Sequence, residues 1–511
     1  MEHWKGTRVG PVASCTFARA RRLRGYCGAF SALAVSWNLR NGVCGMMRIA
    51  KLLTAASLPG IFWACAVGPN YHRPAVQAPN SFRDLADNPQ LQVQTASYAD
   101  LPWWQVFQDP KLQELIRTAL KQNYDLQLAT ERINSARAQL AVTRSSLFPQ
   151  VSGNGNFSGG KENQQQSTYN FLTLTADAAF QLDFFGRLRR ANEAARAQLL
   201  ATEDARQVVA LTLVSDVATD YFTLLQLDLQ LAITRETVRT QTDSVKLTHL
   251  RLEHGVATKL DVLQAQQVLD TANAQIPDLE RQIGQVEDAI SILLGKYPQD
   301  IARGITLVEQ TLPPEVPAGL PSSIIGRRPD IREAEQLLIA ANADIGVAKA
   351  QFFPQISLTG AGGGSFGRDS VFPNLYATQL GIWSYGAQVS QPIFNGGALK
   401  GNLHLAESQQ QQALIGYRQA IQRAFGEVSD ALIGYEKLHQ VRTRQQDSVA
   451  DLQETVRIST LRYKGGTTTY LEVLDGQRSL YGAELTLAAA RADEFRSLVQ
   501  LYKVLGGGWQ Q

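Results

Sequence analysis

The chain has 511 residues, 44% of them hydrophobic, enough to bury a large core and to hold more than one structural unit. Its net charge of +3 is uneven: residues 1–64 carry nine Lys or Arg against Glu2 alone, leaving 40 basic (49 − 9) and 45 acidic (46 − 1) side chains beyond. A mildly acidic body argues against nucleic acid as a partner. All four cysteines (Cys15, Cys27, Cys44, Cys65) fall in the first 65 residues, which excludes a disulfide framework or cysteine metal site from the rest.

Residues 1–45 show no helical or strand period and are read as an upstream extension outside the fold. Residues 46–64 read as a signal peptide: Arg48 and Lys51 supply the positive start, Leu52 to Trp63 a short apolar run, and Ala64 precedes Cys65. The run is too short to span a bilayer. It resembles a bacterial lipoprotein signal, which makes Cys65 the expected lipid-bearing residue, although Phe62 and Trp63 stand where smaller side chains are usual. An ordinary secretory signal with a chance cysteine fits the same residues. Residues 65–108 then form an N-terminal extended segment.

A repeat organises the remainder. The stretch 123–152, ending "SLFPQVS", aligns without a gap on 328–357, ending "QFFPQIS", and "LRLEHGVATKLDVLQAQ" (250–266) aligns on "LRYKGGTTTYLEVLDGQ" (461–477). Two half-chains of similar design, 109–300 and 326–511, are therefore joined through a Pro-rich connector at 301–325. Each half reads helix, strands, long helix, turn, long helix. Between Gly186 and Gly255 there is neither glycine nor proline, and apolar residues recur at helical spacing. Such a helix is about 100 Å long and packs beside others as a rod. Its counterpart runs from about Ala398 to Tyr463. Pro277 is expected to kink the return helix of the first half.

The "FPQ" phrases end a helix and begin strands, because proline lacks an amide donor and restricts the residue before it. From Leu172 to Phe184 the even positions are apolar and the odd ones mostly polar; Trp383, Tyr385, Ala387 and Val389 alternate likewise with Ser384, Gly386, Gln388 and Ser390. Hairpins at about 150–185 and 355–393 follow, with "VSGNGNFSG" and "ISLTGAGGG" as the glycine-rich partner strands. An apolar face opposed to a polar face fits a transmembrane barrel, and equally a soluble ribbon packed on the helices. Four strands cannot close a barrel, and an open edge in lipid leaves unpaired amides costing several kcal/mol each, so a membrane barrel here requires several copies.

The phrases "LPWWQVFQDPKLQELIRTAL" (101–120), "GRRPDIREAE" (326–335), the two "FPQ" turns, "CAVGPNYHRP" (65–74) and "LYKVLGGGW" (501–509) resemble the TolC superfamily, in its OprM/NodT-type efflux lipoprotein branch. The likeness spans Cys65 to Gln511. It implies a mixed α and β membrane protein: a homotrimer with a long antiparallel α-helical barrel and a 12-stranded transmembrane β-barrel, four strands per chain. It also implies a lipid-anchored outer-membrane channel conducting drugs or other solutes passively from an inner-membrane pump of the RND type, through a periplasmic adaptor.

By motif position the resemblance places a periplasmic gate at Leu471, Glu472, Asp475 and Arg478, and adaptor-facing tips at Arg251, Gly255, Arg462, Gly465 and Gly466. The spacing suits a gate, since i, i+4 and i+7 share one helix face, and Asp475–Arg478 pairs are expected to hold it shut. The glycines are expected to allow the tight reversals. Phe148, Pro149, Phe353 and Pro354 mark the helix-to-strand junctions. No cofactor, metal site or enzymatic constellation is expected: "GGGSFG" (362–367) lies in strand-like sequence, and the histidines are scattered. A periplasmic coiled-coil adaptor or structural protein is the alternative reading, with a scaffolded enzyme behind it.

Overall fold

The computed structural model describes residues 66–76, 100–162, 167–311, 321–369 and 380–507. The upstream extension, the signal peptide, Cys65 and the centre of the Pro-rich connector lie outside the described residues. In chain order the helices are α1 (Trp103–Val106), α2 (Pro110–Gln122), α3 (Tyr124–Ser145), α4 (Arg187–Glu253), α5 (Lys259–Leu293), α6 (Pro321–Arg327), α7 (Pro329–Ala350), α8 (Ala398–Lys464) and α9 (Tyr470–Val504). Strands β1 (Gln150–Glu162) and β2 (Ser167–Leu182) follow α3, and β3 (Gln355–Asp369) and β4 (Leu380–Ser390) follow α7. Corresponding helices match in length: 22 residues in α3 and α7, 67 in α4 and α8, 35 in α5 and α9.

The strands begin where the "FPQ" turns stand: α3 stops at Ser145 and α7 at Ala350, and Gln150 and Gln355 open β1 and β3. The two hairpins do not stay separate. They join through β2 and β3 into one antiparallel sheet of order β1-β2-β3-β4. The register sorts its faces. Val151 and Phe157 of β1, Leu172 and Leu174 of β2, Leu358 and Phe366 of β3, and Trp383, Tyr385 and Val389 of β4 share one face with glycines and alanines. All nine of those larger side chains are exposed, Trp383 at 75% and Tyr385 at 83%. The other face carries Ser, Thr, Asn, Gln and Asp177, interrupted by Phe171 and Ile382 near the far ends of the hairpins. The extensive contacts of the sheet are all strand to strand, so the soluble ribbon packed on helices is not what forms.

The rods pack as α4 with α5, α8 with α9, and α4 with both α7 and α9. An apolar window of α4 is long enough to cross a membrane by composition, but 61% of it is buried inside the protein, as a core helix would be. Pro277 sits inside α5, which continues through it from Lys259 to Leu293; the proline deprives the Asn273 carbonyl of its helical donor. The main core gathers α1, α2, the middle of α4 and α8 and the ends of α5 and α9 around the fully buried Tyr221, Tyr417 and Tyr502.

Two of the phrases quoted above are fasteners of this core. In "WWQVFQDP", Trp103 and Phe107 are buried, and Asp109 is 1% exposed. The Asp109 carboxylate caps α2 by accepting from the amides of Lys111 (2.8 Å) and Leu112 (3.4 Å). It also accepts from the Tyr221 hydroxyl (2.7 Å), the Ile305 amide (3.0 Å) and Gln310 Nε2 (2.9 Å). One side chain thereby ties α2, α4 and the connector together. Gly304 lets the connector pass, because a Cβ there would stand 2.1 Å from Asp109 Oδ1. In "GRRPDIREAE", the buried Arg328 donates to Asp330 (2.7 Å), Glu427 (2.6 Å) and the Val504 carbonyl (3.1 Å), joining α7, α8 and α9. Asp109→Ala strands several buried donors and is expected to cost about 3 kcal/mol, more than Asp109→Asn, read as a lower midpoint of thermal unfolding in detergent.

Candidate functional site

Two ends of the helical body carry the expected functional residues: the strand boundary and the tips farthest from the sheet. At the strand boundary, Phe353 stacks on Phe185 with ring centroids 4.6 Å apart, joining the "FPQ" turn before β3 to the turn after β2. Phe148, at the equivalent turn before the edge strand β1, is 55% exposed. The segment 66–76 starts at the same boundary. The Val67 amide donates to the Phe185 carbonyl (3.0 Å), and Gly68 packs so closely on Gly346 that a Cβ would lie 2.5 Å from its Cα. The segment then descends α7: Asn342 donates to the Pro69 carbonyl (3.0 Å), Arg190 to Asn70 (2.7 Å), and Arg73 to Glu335 (2.7 Å). The "AVGPNYHR" phrase is a strap whose upper end lies where the strands begin.

At the tips, α4 and α8 reverse into α5 and α9. Gly255 and Gly466 adopt φ of 72° and 71°, the left-handed conformation that closes each helix, and the amides of Val256 and Thr467 reach back to the Arg251 and Arg462 carbonyls. Gly465 does not share this role: its φ is −76°, so the reversal needs Gly466 alone. The return helices start with paired side chains. Thr258 and Asp261 form a reciprocal capping box on α5. On α9, Glu472 accepts from Arg462 (2.6 Å) and from the Thr468 hydroxyl, clasping the end of α8 to the start of α9.

The two tips also hold each other. The Arg251 guanidinium, from the first, lies 4.4 Å from the centroid of the Tyr463 ring in the second. Tyr463 in turn meets Tyr470 (5.3 Å), and Ala265, Val268, Val473 and Leu474 complete a small separate core. Burial pushes the Tyr470 phenol up to about 12, so it stays neutral at physiological pH. Arg251 and Arg462, expected at the adaptor-facing tips, also make these contacts within the chain. The tyrosines were not anticipated; the signal was an aromatic pair spanning the turn, Tyr463 and Tyr470.

The expected gate residues lie on one face of α9. Leu471 is 57% exposed, and Asp475 and Arg478 are exposed beside it, while Val473, Leu474 and Gly476 turn inward. No ion pair joins Asp475 to Arg478 within one chain among the described residues. Glu472 is committed to Arg462. No cluster of potential metal ligands occurs among the described residues, and "GGGSFG" falls inside β3. Replacing Arg251 by Ala removes a cation–π contact of about 1 kcal/mol. Amide exchange at 251–259 and 462–470 is expected to quicken several-fold, with Arg251→Lys in between.

The outer membrane efflux protein family model matches residues 115–296 and 320–507. The chain is 38% identical over 450 residues to the cation efflux system protein CusC of an Escherichia coli O6:H1 strain, covering 88% of this chain and 96% of that one. It is 37% identical over 471 residues to the toluene efflux pump outer membrane protein TtgC of Pseudomonas putida, covering 90% and 96%. The open-state structure of the Neisseria gonorrhoeae MtrE outer membrane channel superposes with a TM-score of 0.79 at 30% identity, over 87% of this chain and 99% of that one. These relatives favour a channel over a periplasmic adaptor. Their agreement with an exposed apolar sheet on long rods places this chain in the outer membrane efflux protein family.

Proposed function

We propose that three copies of this chain close a 12-stranded β-barrel in the outer membrane and continue it as an α-helical barrel through the periplasm. The duct conducts solutes passively and carries out no chemistry. The observation that carries this reading is the four-stranded sheet with an exposed apolar face and two open edges. In lipid those edges must be hydrogen-bonded by neighbours. The matched helix lengths support a duplicated architecture, which turns three chains into six similar units around the duct. The processed protein in detergent should have the mass of a trimer; a stable monomer in detergent-free buffer defeats the reading.

The energy comes from an inner-membrane pump of the RND type, joined through a periplasmic adaptor that engages the helical tips. The names of CusC and TtgC span cations and toluene. Discrimination of substrates therefore belongs largely to the pump, and this duct passes what it is given. Cys65 carries the covalent lipid. The bond between Val67 and Phe185 supports this, since it puts the residues just after Cys65 beside the strand boundary, where a lipid chain meets the bilayer. Cys65→Ser is expected to abolish labelling by radioactive palmitate while leaving trimers intact.

The gate is a stack of rings formed by Leu471, Asp475 and Arg478 from three chains, with Asp475–Arg478 pairs made between neighbours. Their exposure on one face of α9, and the lack of an ion pair between Asp475 and Arg478 among the described residues, support that arrangement. Untwisting of the helices as the adaptor docks opens it. Asp475→Ala and Arg478→Ala channels are expected to admit dyes and large antibiotics several-fold faster; unchanged permeability in both removes the gate from these residues.

A further inference from the structure

We propose that β4 pairs with β1 of a second copy of this chain in one particular register, with Val389 opposite Gly155 of the partner subunit and Ser390 opposite Asn154 of the partner subunit. This rests on the trimeric reading above and adds to it the alignment of the seam. The template lies inside the chain. Gln150 pairs with Ala179 in the first hairpin, and Gln355 pairs with Ser390 in the second. A shift of 205 residues carries Gln150 onto Gln355, and one of 211 carries Ala179 onto Ser390. The same two shifts align the "FPQ" turns and the tip sequences. The hairpins are therefore copies with one internal register.

The pairing of β2 with β3 joins the second strand of one hairpin to the first strand of the next, with Phe180 facing Leu358. A seam between subunits joins strands of the same two kinds. Carrying Phe180 forward by 211 and Leu358 back by 205 sets Gln391 opposite Gly153 of the partner subunit. Counting along antiparallel strands then gives the Val389 and Ser390 pairs.

Two features of the sheet agree with this alignment independently. Facing residues in an antiparallel pair lie on the same face. Val389 and Gly155 both belong to the apolar face, and Ser390 and Asn154 both to the polar one. A slip of one residue sets apolar against polar along the whole seam. A slip of two keeps the faces but sets Tyr385 opposite Phe157 or Lys161 of the partner subunit. The proposed register gives Tyr385 a glycine, Gly159 of the partner subunit, just as β3 gives it Gly360 on its other side.

Disulfide trapping tests the register, because the body after Cys65 contains no cysteine. Asn154→Cys with Ser390→Cys, and Gly155→Cys with Val389→Cys, are oxidised in intact membranes, beside each single variant and the displaced pair Ser158→Cys with Ser390→Cys. Facing Cα atoms about 4.5–5.5 Å apart are within disulfide reach, whereas four residues of displacement add about 13 Å. Both matched pairs are expected to give covalent trimers that survive denaturation, at least tenfold more than the single variants or the displaced pair. Cross-linking of the displaced pair in preference, or of neither matched pair while native mass still reports a trimer, overturns the register and leaves the duct standing. A monomeric native mass removes the trimeric reading itself.

Discussion

A β-sheet in lipid has no water to satisfy its edge amides, so every strand must find a protein neighbour. That constraint governs this molecule more than any single contact does. The sheet leaves Phe157, Leu172, Leu174, Leu358, Phe366 and Trp383 exposed on one face, and among the described residues no helix packs extensively on it. In water such a face would be an aggregation hazard. In a bilayer it is the correct surface, and its two open edges become a demand for further copies.

The helical body answers to a different solvent. Its rods are too long to fold back into a ball and are held in place by a few polar fasteners at one level. Asp109 and Arg328 each gather donors or acceptors from three separate segments. Both are nearly fully buried and fully partnered, the condition under which a buried charge is tolerated. They lie in two of the phrases on which the family resemblance rests, and both are buried inside the chain. Those phrases record how the rods are fastened.

Away from that level the rods meet along thinner contacts. The tips keep only a small core around Tyr463 and Tyr470, with Arg251 laid across one ring. A region with so few buried apolar contacts opens at lower cost than the main core. The gate proposed at Leu471, Asp475 and Arg478 calls for that gradient, firm in the middle and lightly held at the end.

Much of the architecture was legible in residue order. Period-2 alternation in β2 and β4, the proline after Phe148 and Phe353, and the unbroken helical run after Gly186 specify local structure, because each acts through the backbone within a few residues. The repeat itself was visible as self-similarity. What residue order could not supply depends on partners far along the chain. The glycine-rich β1 and β3 acquire an apolar face only once their register with β2 is known, and the union of the hairpins into one sheet is a contact between residues near 170 and near 366. Equally, Glu472 and Arg251 read as free charges at a tip until Arg462 and Tyr463 are brought beside them, since side chains on different helices meet only through tertiary packing.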